Sequence, residues 1–442
     1  MRPLLLLSAL ALLPACGPSI LIDGLQAEAS PDMATVVRVS WSSDQESQGY
    51  VQYGLDGILD QATPLETAPS LEHEQLLLGL PENAELSWQV VIPSESDDPE
   101  DDTLGDLMTA STGSLNPDLP ALAASGSGNT HYIVAPIMGA IFGPAIITPE
   151  GEYTWFYEDD RDLEVYRARL SLDGQSLLYN AASVSGDPAD DSMIVRVSLD
   201  GSSVETYPLP LLAHDFVEHP DGTLGAMVVE YRDLDGEEIR GDQIVEIAPD
   251  GSQSVVWSAW DCFDPVADVG DDTEYGWTFA NALDFDPDEQ AYFIGSRNFS
   301  SITRVDRATG SCDWVFGDVA ATFSPGSGSS RFLHQHQFFQ ADGRLLVFDN
   351  DGAAGNVSRV IEFEFDPEAG TAEEVWTFDD GIYTFVLGDV TRFDDGSTMV
   401  DWATGGQMDW LDASGTPSWK INTDVGYAFG FNTPLQDLYQ PE

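Results

Sequence analysis

Polar and apolar residues alternate along most of this chain in short runs, and turn-forming residues separate the runs. Val36 to Trp41 reads VVRVSW, Tyr50 to Gly54 YVQYG, His73 to Leu80 HEQLLLGL and Leu86 to Ile92 LSWQVVI. A period of two, rich in Val, Tyr and Trp and bounded by Pro, Gly, Asn and Asp, predicts strands that bury one face. Strands this short and this closely spaced predict a small β-sandwich over residues 20–113. Residues 114–128 are rich in Pro, Ser, Gly and Ala and read as a linker. No stretch of useful length shows the helical period.

Beyond the linker the pattern repeats. Six segments place a turn rich in Asp and Gly before a short strand centred on an aromatic residue: Trp155, Tyr207, Trp257, Trp314, Trp376 and Trp419. Their spacings are 52, 50, 57, 62 and 43 residues, and other short strands such as SLLYN, LGAMVV, AYFIGS, RLLVFD and STMVD lie between them. A period near 50 with about four strands per unit is what a β-propeller blade requires. The fold predicted is therefore all-β, with a six-bladed β-propeller over residues 129–442. The repeated aromatic residues read as blade core.

Charge narrows the function classes. There are 77 acidic and 16 basic residues, a net charge of −61, and Lys420 is the only lysine. Such a surface repels phosphate backbones and anionic membranes, so nucleic-acid binding is excluded as a class. The acidity reads as solvation, of the kind found on secreted or salt-adapted proteins. The Asp-rich stretches Ser96–Asp102 and Gly186–Asp191 lack the ordered ligand spacing of a calcium loop and read as solvated loops. No spacing of His or Cys suggests a metal site.

The N-terminus carries Arg2, an apolar run from Leu4 to Leu13, and then Leu13-Pro14-Ala15-Cys16-Gly17. The run is too short to span a bilayer. The sequence resembles a bacterial lipoprotein signal over residues 1–16, which implies lipidation at Cys16, an exported periplasmic or cell-surface location, and membrane contact through an anchor alone. Pro14 departs from the usual residue and leaves plain secretion open. Cys262 and Cys312 then remain for an oxidising compartment. Their spacing leaves pairing open.

Residues 20–113 also resemble a fibronectin-type-III-like module, and His73 within them reads as structural. Reactive residues recur at blade starts further on. His214 precedes an Asp-Gly turn; Phe279, Asn281 and Arg297 follow in one repeat; His334, His336, Asn350 and Arg359 follow in the next. If the blades share one geometry, these side chains converge on the axis. His131 and His219 read as surface or turn residues.

The pieces His214-Asp215, WTFANALDFDP, Ser296-Arg297-Asn298, Gln335-His336, Phe348-Asp349-Asn350 and Ser358-Arg359 resemble, in order and spacing, the bacterial arylsulfate sulfotransferases that use no nucleotide donor. The resemblance implies ping-pong transfer from an aryl sulfate to a phenol, without a cofactor. His336 matches the nucleophile that becomes a sulfohistidine, Arg297 the arginine that holds the sulfate, and His214 a histidine that bonds the sulfuryl oxygens or the leaving phenolate. Asn281 and Asn350 are candidates for orienting these groups. Arg359 is either a second anion contact or a wall ion pair. One place departs from the family: Phe279 stands where it carries another active-site histidine. Either His334 substitutes from the neighbouring blade, or the propeller has lost the chemistry and binds an aromatic or anionic ligand, or a protein, at the same face. The net charge opposes the approach of an anionic donor.

Overall fold

The computed structural model describes residues 20–439 apart from 97, 162, 184–187, 271, 274, 342, 353, 354, 356, 367 and 368. The signal segment and Cys16 lie outside the described residues, as does part of the 186–191 stretch. Among the described residues two compact units emerge from the contacts, one of residues 20–28, Val37–Leu77 and Glu85–Ser111, the other of Ala29–Val36, Leu78–Ala84 and residues 112–439. In the first, Ile22–Ala29, Val37–Ser47 and Ser70–Leu77 form one antiparallel sheet. Gln61–Ala62, Tyr50–Leu55, Glu85–Ile92 and Thr103–Leu104 form a second, with Met108–Ser111 also on Glu85–Ile92. The alternation in the sequence becomes alternation in space: Val37, Val39, Trp41, Val51, Tyr53, Trp88 and Val90 are all buried. His73 is structural, stacked on Trp41 at 4.7 Å and held between Glu66 at 2.8 Å and Ser43 Oγ at 3.0 Å.

The second unit is propeller-like. Among the described residues it contains six sheets, each a mainly antiparallel meander. Four begin with Glu164–Leu170, Leu212–Glu218, Ala280–Asp286 and Asp389–Arg392; a fifth has Phe338–Ala341 first and gains Ser324–Pro325 at its far edge. The sheet of Tyr132–Met138, Phe142–Ile147 and Tyr153–Phe156 takes its remaining strands from the C-terminus, Ala428–Phe429 and Thr433–Leu435. Ala123–Gly126, inside the stretch read as a linker, pairs instead with Pro417–Asn422. The two ends of this unit are thus each sewn into a sheet formed mostly by the other end. This leaves fewer unpaired edges and replaces the linker reading at these four residues.

All six repeated aromatic residues fall on the last meander strand of a sheet. In five of the six, the partner register slips next to the aromatic residue, as between Ile244 and Val245 opposite Trp257. The bulge twists the strand and lets a large ring settle between sheets. Trp257 donates its indole N–H to Cys262 and Cys312, which are joined in a disulfide across 50 residues. Pairing, left open by the spacing, is settled by geometry. Loop-closure entropy over 50 residues gives a contribution of about 4 kcal/mol. The Cys262→Ala/Cys312→Ala variant is therefore expected to lose that amount in denaturant unfolding; a loss under about 1 kcal/mol would refute the entropic account.

Candidate functional site

A buried hub ties together the innermost strands. Arg167 donates to Asp215 at 3.0 and 3.2 Å, to Asp389 at 3.2 Å and to the Asn432 carbonyl at 3.1 Å. Asp215 also accepts from Gln337 Nε2 at 2.5 Å and from the Leu283 amide at 3.2 Å. These groups lie in or next to strands of six different sheets, so they mark where the sheets converge. Burial raises the Asp389 carboxyl to about 6, against the pull of Arg167.

The residues just before the hub members face a cavity of about 380 Å³. Tyr166 precedes Arg167, His214 precedes Asp215, and His336 precedes Gln337; all three line the cavity with Phe279, Arg297 and His334. Hub residues Arg167, Gln337, Asp389 and Asn432 line a separate cavity of about 780 Å³. Adjacent residues of an extended chain point in opposite directions, so one motif supplies both a structural anchor and a reactive group.

His336 is held in one state. Its Nδ1 lies 2.8 Å from Asn350 Oδ1. The Asn350 Nδ2 donates to the carbonyls of Thr384 and Leu387 at 3.0 and 2.8 Å, which leaves the amide oxygen to accept. The proton of His336 is therefore on Nδ1, and Nε2 carries the lone pair. Burial, and then His214 and Arg297, push its pKa well below 6.5. The backbone around it is pinned residue by residue: Leu333 N to Asp349, His334 N to Ser300 Oγ, Gln335 O from Asn281 Nδ2, and His336 N to Phe348 O.

His214 packs edge-on against Phe279 at 5.2 Å and against Tyr166 at 5.4 Å, with the His336 ring centroid 6.5 Å away. Burial, then Arg240 and Arg297, lowers its pKa to about 3. Both imidazoles are neutral at neutral pH. Arg297 uses Nη1 to bond Asp272 at 2.8 Å and Asn298 at 2.9 Å. Among the described residues its remaining N–H groups have no protein acceptor, so they can receive an anion. His334 sets Nδ1 2.6 Å from Asp351 and Nε2 4.0 Å from Asp272.

The Phe279 ring occupies the centre of this group, with the Arg240 guanidinium 5.3 Å and that of Arg297 6.0 Å from its centroid. Its φ of +46° is left-handed, as are those of Tyr275 (+68°), His334 (+53°) and Leu387 (+60°), which also line the cavity. Each such residue costs on the order of 1 kcal/mol or more, a cost that elsewhere marks functional sites. Asp242 fixes the strand entry by accepting from Thr278 Oγ1 and the Ala280 amide.

Several expectations need correction. Arg359 does not reach the cavity; it bonds Asp349 at 2.8 Å and the Arg331 carbonyl at 2.8 Å, as a wall ion pair. Asn281 and Asn350 do not line the cavity either; both are buried behind it and orient His336 and its flanking chain. His131 and His219 are not surface residues. His131 packs on Phe393 and Trp410, and His219, in its turn, bonds the Tyr292 hydroxyl at 2.7 Å. The sequence reading missed Arg240 and the aromatic residues of the mouth, since no motif marks them.

The family model for arylsulfotransferase (ASST) matches residues 143–423, more than half of the chain. The chain belongs to the arylsulfotransferase family. For an arylsulfotransferase the matched span contains every hub residue but Asn432, and all of His214, Phe279, Arg297, His334 and His336. Membership places the protein among those of aryl sulfotransfer, with aryl sulfates and phenols as substrates. No curated protein matches the chain. Similar solved structures include a luciferin-regenerating enzyme, at 12% identity over 70% of this chain and 98% of that one, TM-score 0.35. A putative 6-phosphogluconolactonase from Bacteroides uniformis has 13% identity over 77% and 98%, TM-score 0.34. Apo AztD from Citrobacter koseri has 13% identity over 94% and 98%, TM-score 0.32. Likenesses this distant carry no argument about function.

Proposed function

We propose that the protein moves a sulfuryl group from an aryl sulfate ester to a phenol in two steps, through a sulfated His336. The observation that carries this reading is the Asn350 clamp, which leaves a neutral His336 with its Nε2 lone pair toward the cavity. In the first step Nε2 attacks sulfur, the N–S bond forms, and the bond from sulfur to the aryl oxygen breaks. The ring gains positive charge as it does so, and the Asn350 oxygen on Nδ1–H stabilises it. In the second step a phenol oxygen attacks sulfur, the N–S bond breaks, and His336 returns to its starting form.

Arg297 binds the sulfuryl oxygens, whose negative charge persists throughout. Asp272 fixes its direction. His214, with its pKa near 3, acts as a neutral N–H dipole rather than as a proton donor. His334, backed by Asp351, gives a proton to the departing phenolate and takes one from the incoming phenol. It replaces the histidine that Phe279 displaces. The Cys262–Cys312 disulfide supports export to an oxidising compartment, with Cys16 as the anchor.

The test omits the acceptor. With an aryl sulfate alone, we expect one phenolate released per chain and a mass gain of one SO₃, mapped to His336. Adding phenol discharges it. Steady release without acceptor means a hydrolase, and turnover with both substrates but no adduct means direct transfer. Absence of any turnover favours the ligand-binding reading that Phe279 raises.

A further inference from the structure

Rings are rarely left in water on this protein. Among the described residues only five aromatic side chains are exposed, and four of them, Tyr275, Tyr383, Phe385 and Tyr427, line the one cavity that contains His336. They are between 42% and 53% exposed. They come from three separate loops, so their meeting is a product of the fold. Exposed apolar surface concentrated at one concave place marks a binding site.

The rings also continue inward. From His214 to Phe279 is 5.2 Å and from Phe279 to Tyr275 is 5.4 Å between centroids, a ladder that leads from the imidazole of His214, itself 6.5 Å from that of His336, to the mouth. Tyr275 keeps its place at the top of that ladder with a left-handed φ of +68°. Tyr383 is also fixed, its hydroxyl donating to Asp351 at 3.2 Å. Rings held in place can stack on a flat ligand without losing much rotamer freedom on binding.

A single-ring phenol bound at sulfur range of His336 touches only the inner end of the ladder. From this placement we infer that the site selects phenols and aryl sulfates of two or more fused or linked rings, with the outer ring stacked among Tyr275, Tyr383, Phe385 and Tyr427. Asp351 lines the cavity and Asp272 bonds its Arg297, so a carboxylate on the outer ring is disfavoured and an uncharged or cationic acceptor is preferred. This rests on the sulfotransfer reading only for the identity of the inner group; the ring preference itself concerns binding.

The experiment therefore has a binding arm and a turnover arm, on the full chain. Phenol, 2-naphthol and a carboxylated naphthol are titrated calorimetrically, then used as acceptors with one aryl sulfate donor. Burial of a second ring is worth roughly tenfold or more in affinity. We expect 2-naphthol to exceed phenol by that factor in both arms, and the carboxylated form to fall back. In Phe385→Ala/Tyr427→Ala the naphthol-to-phenol ratio should collapse to within about threefold. Thermal unfolding of the variant checks its fold, and Tyr275→Ala serves if the double variant is unstable. Preference in binding without turnover would keep this inference and sink sulfotransfer. Equal binding of one and two rings, or a ratio unmoved in folded variants, would overturn it.

Discussion

His336→Ala is expected to lower sulfuryl turnover by about 10⁴-fold or more and to abolish the mass gain seen without acceptor. His214 sits on the same cavity but lacks an Asn clamp, and its Nδ1 is buried with no hydrogen-bond partner. The measurement is phenolate release from a chromogenic aryl sulfate with a phenol acceptor, with the fold checked by thermal unfolding. Asn350→Ala is expected to lose less, since the nucleophile survives but its tautomer is no longer fixed. Turnover within about tenfold of the parent in folded His336→Ala would remove the sulfohistidine from the scheme.

The second large effect is on stability. Arg167→Met should destabilise the protein by about 3–5 kcal/mol, because Asp389 would stay buried without the cation that bonds it and Asp215 would keep only Arg169, at 3.7 Å. Both side chains are almost wholly inaccessible, so water cannot substitute. The deficit has a predictable pH dependence. Asp389 has its folded pKa raised from 3.8 to about 6, so its carboxyl favours folding when protonated and opposes it when charged. That contribution is present below 3.8 and lost as pH rises through about 6. Loss of Arg167 should therefore cost more at about pH 8 than at about pH 5. Denaturant midpoints at the two pH values decide it, and a cost under about 1 kcal/mol at pH 8 would mean that the hub does not hold the strands.

Much of this was legible in one dimension, for a local reason. Whether a segment is a strand depends on its own period of two, and where a strand ends depends on the Asp and Gly beside it. Trp155, Tyr207, Trp257, Trp314, Trp376 and Trp419 could be aligned because each repeat solves the same packing problem at the same strand. Repetition also made His214, Arg297 and His336 readable as neighbours, since the start of a sheet's first strand, where His214 and His336 lie, and the end of its second, where Arg297 lies, are at one end of the sheet. The polar character of Asn281 and Asn350 was visible, but their direction was not. Both were read as candidates for orienting the reactive groups, and both stand behind the imidazole, on its ring and on its flanking chain.

What the chain alone determined is thus the strand content and the repeat, set by local spacing, together with the candidates for the reactive groups. Only the assembled ring of sheets decided which charges meet. Arg167 reaches Asp389 across 222 residues and the Asn432 carbonyl across 265. It also sent Arg359 to Asp349 in the wall, joined Cys262 to Cys312, and gathered four exposed rings from three loops at one mouth. Contacts between distant segments depend on how the sheets are rotated about the axis, and neither a local period nor a count of charges contains that rotation.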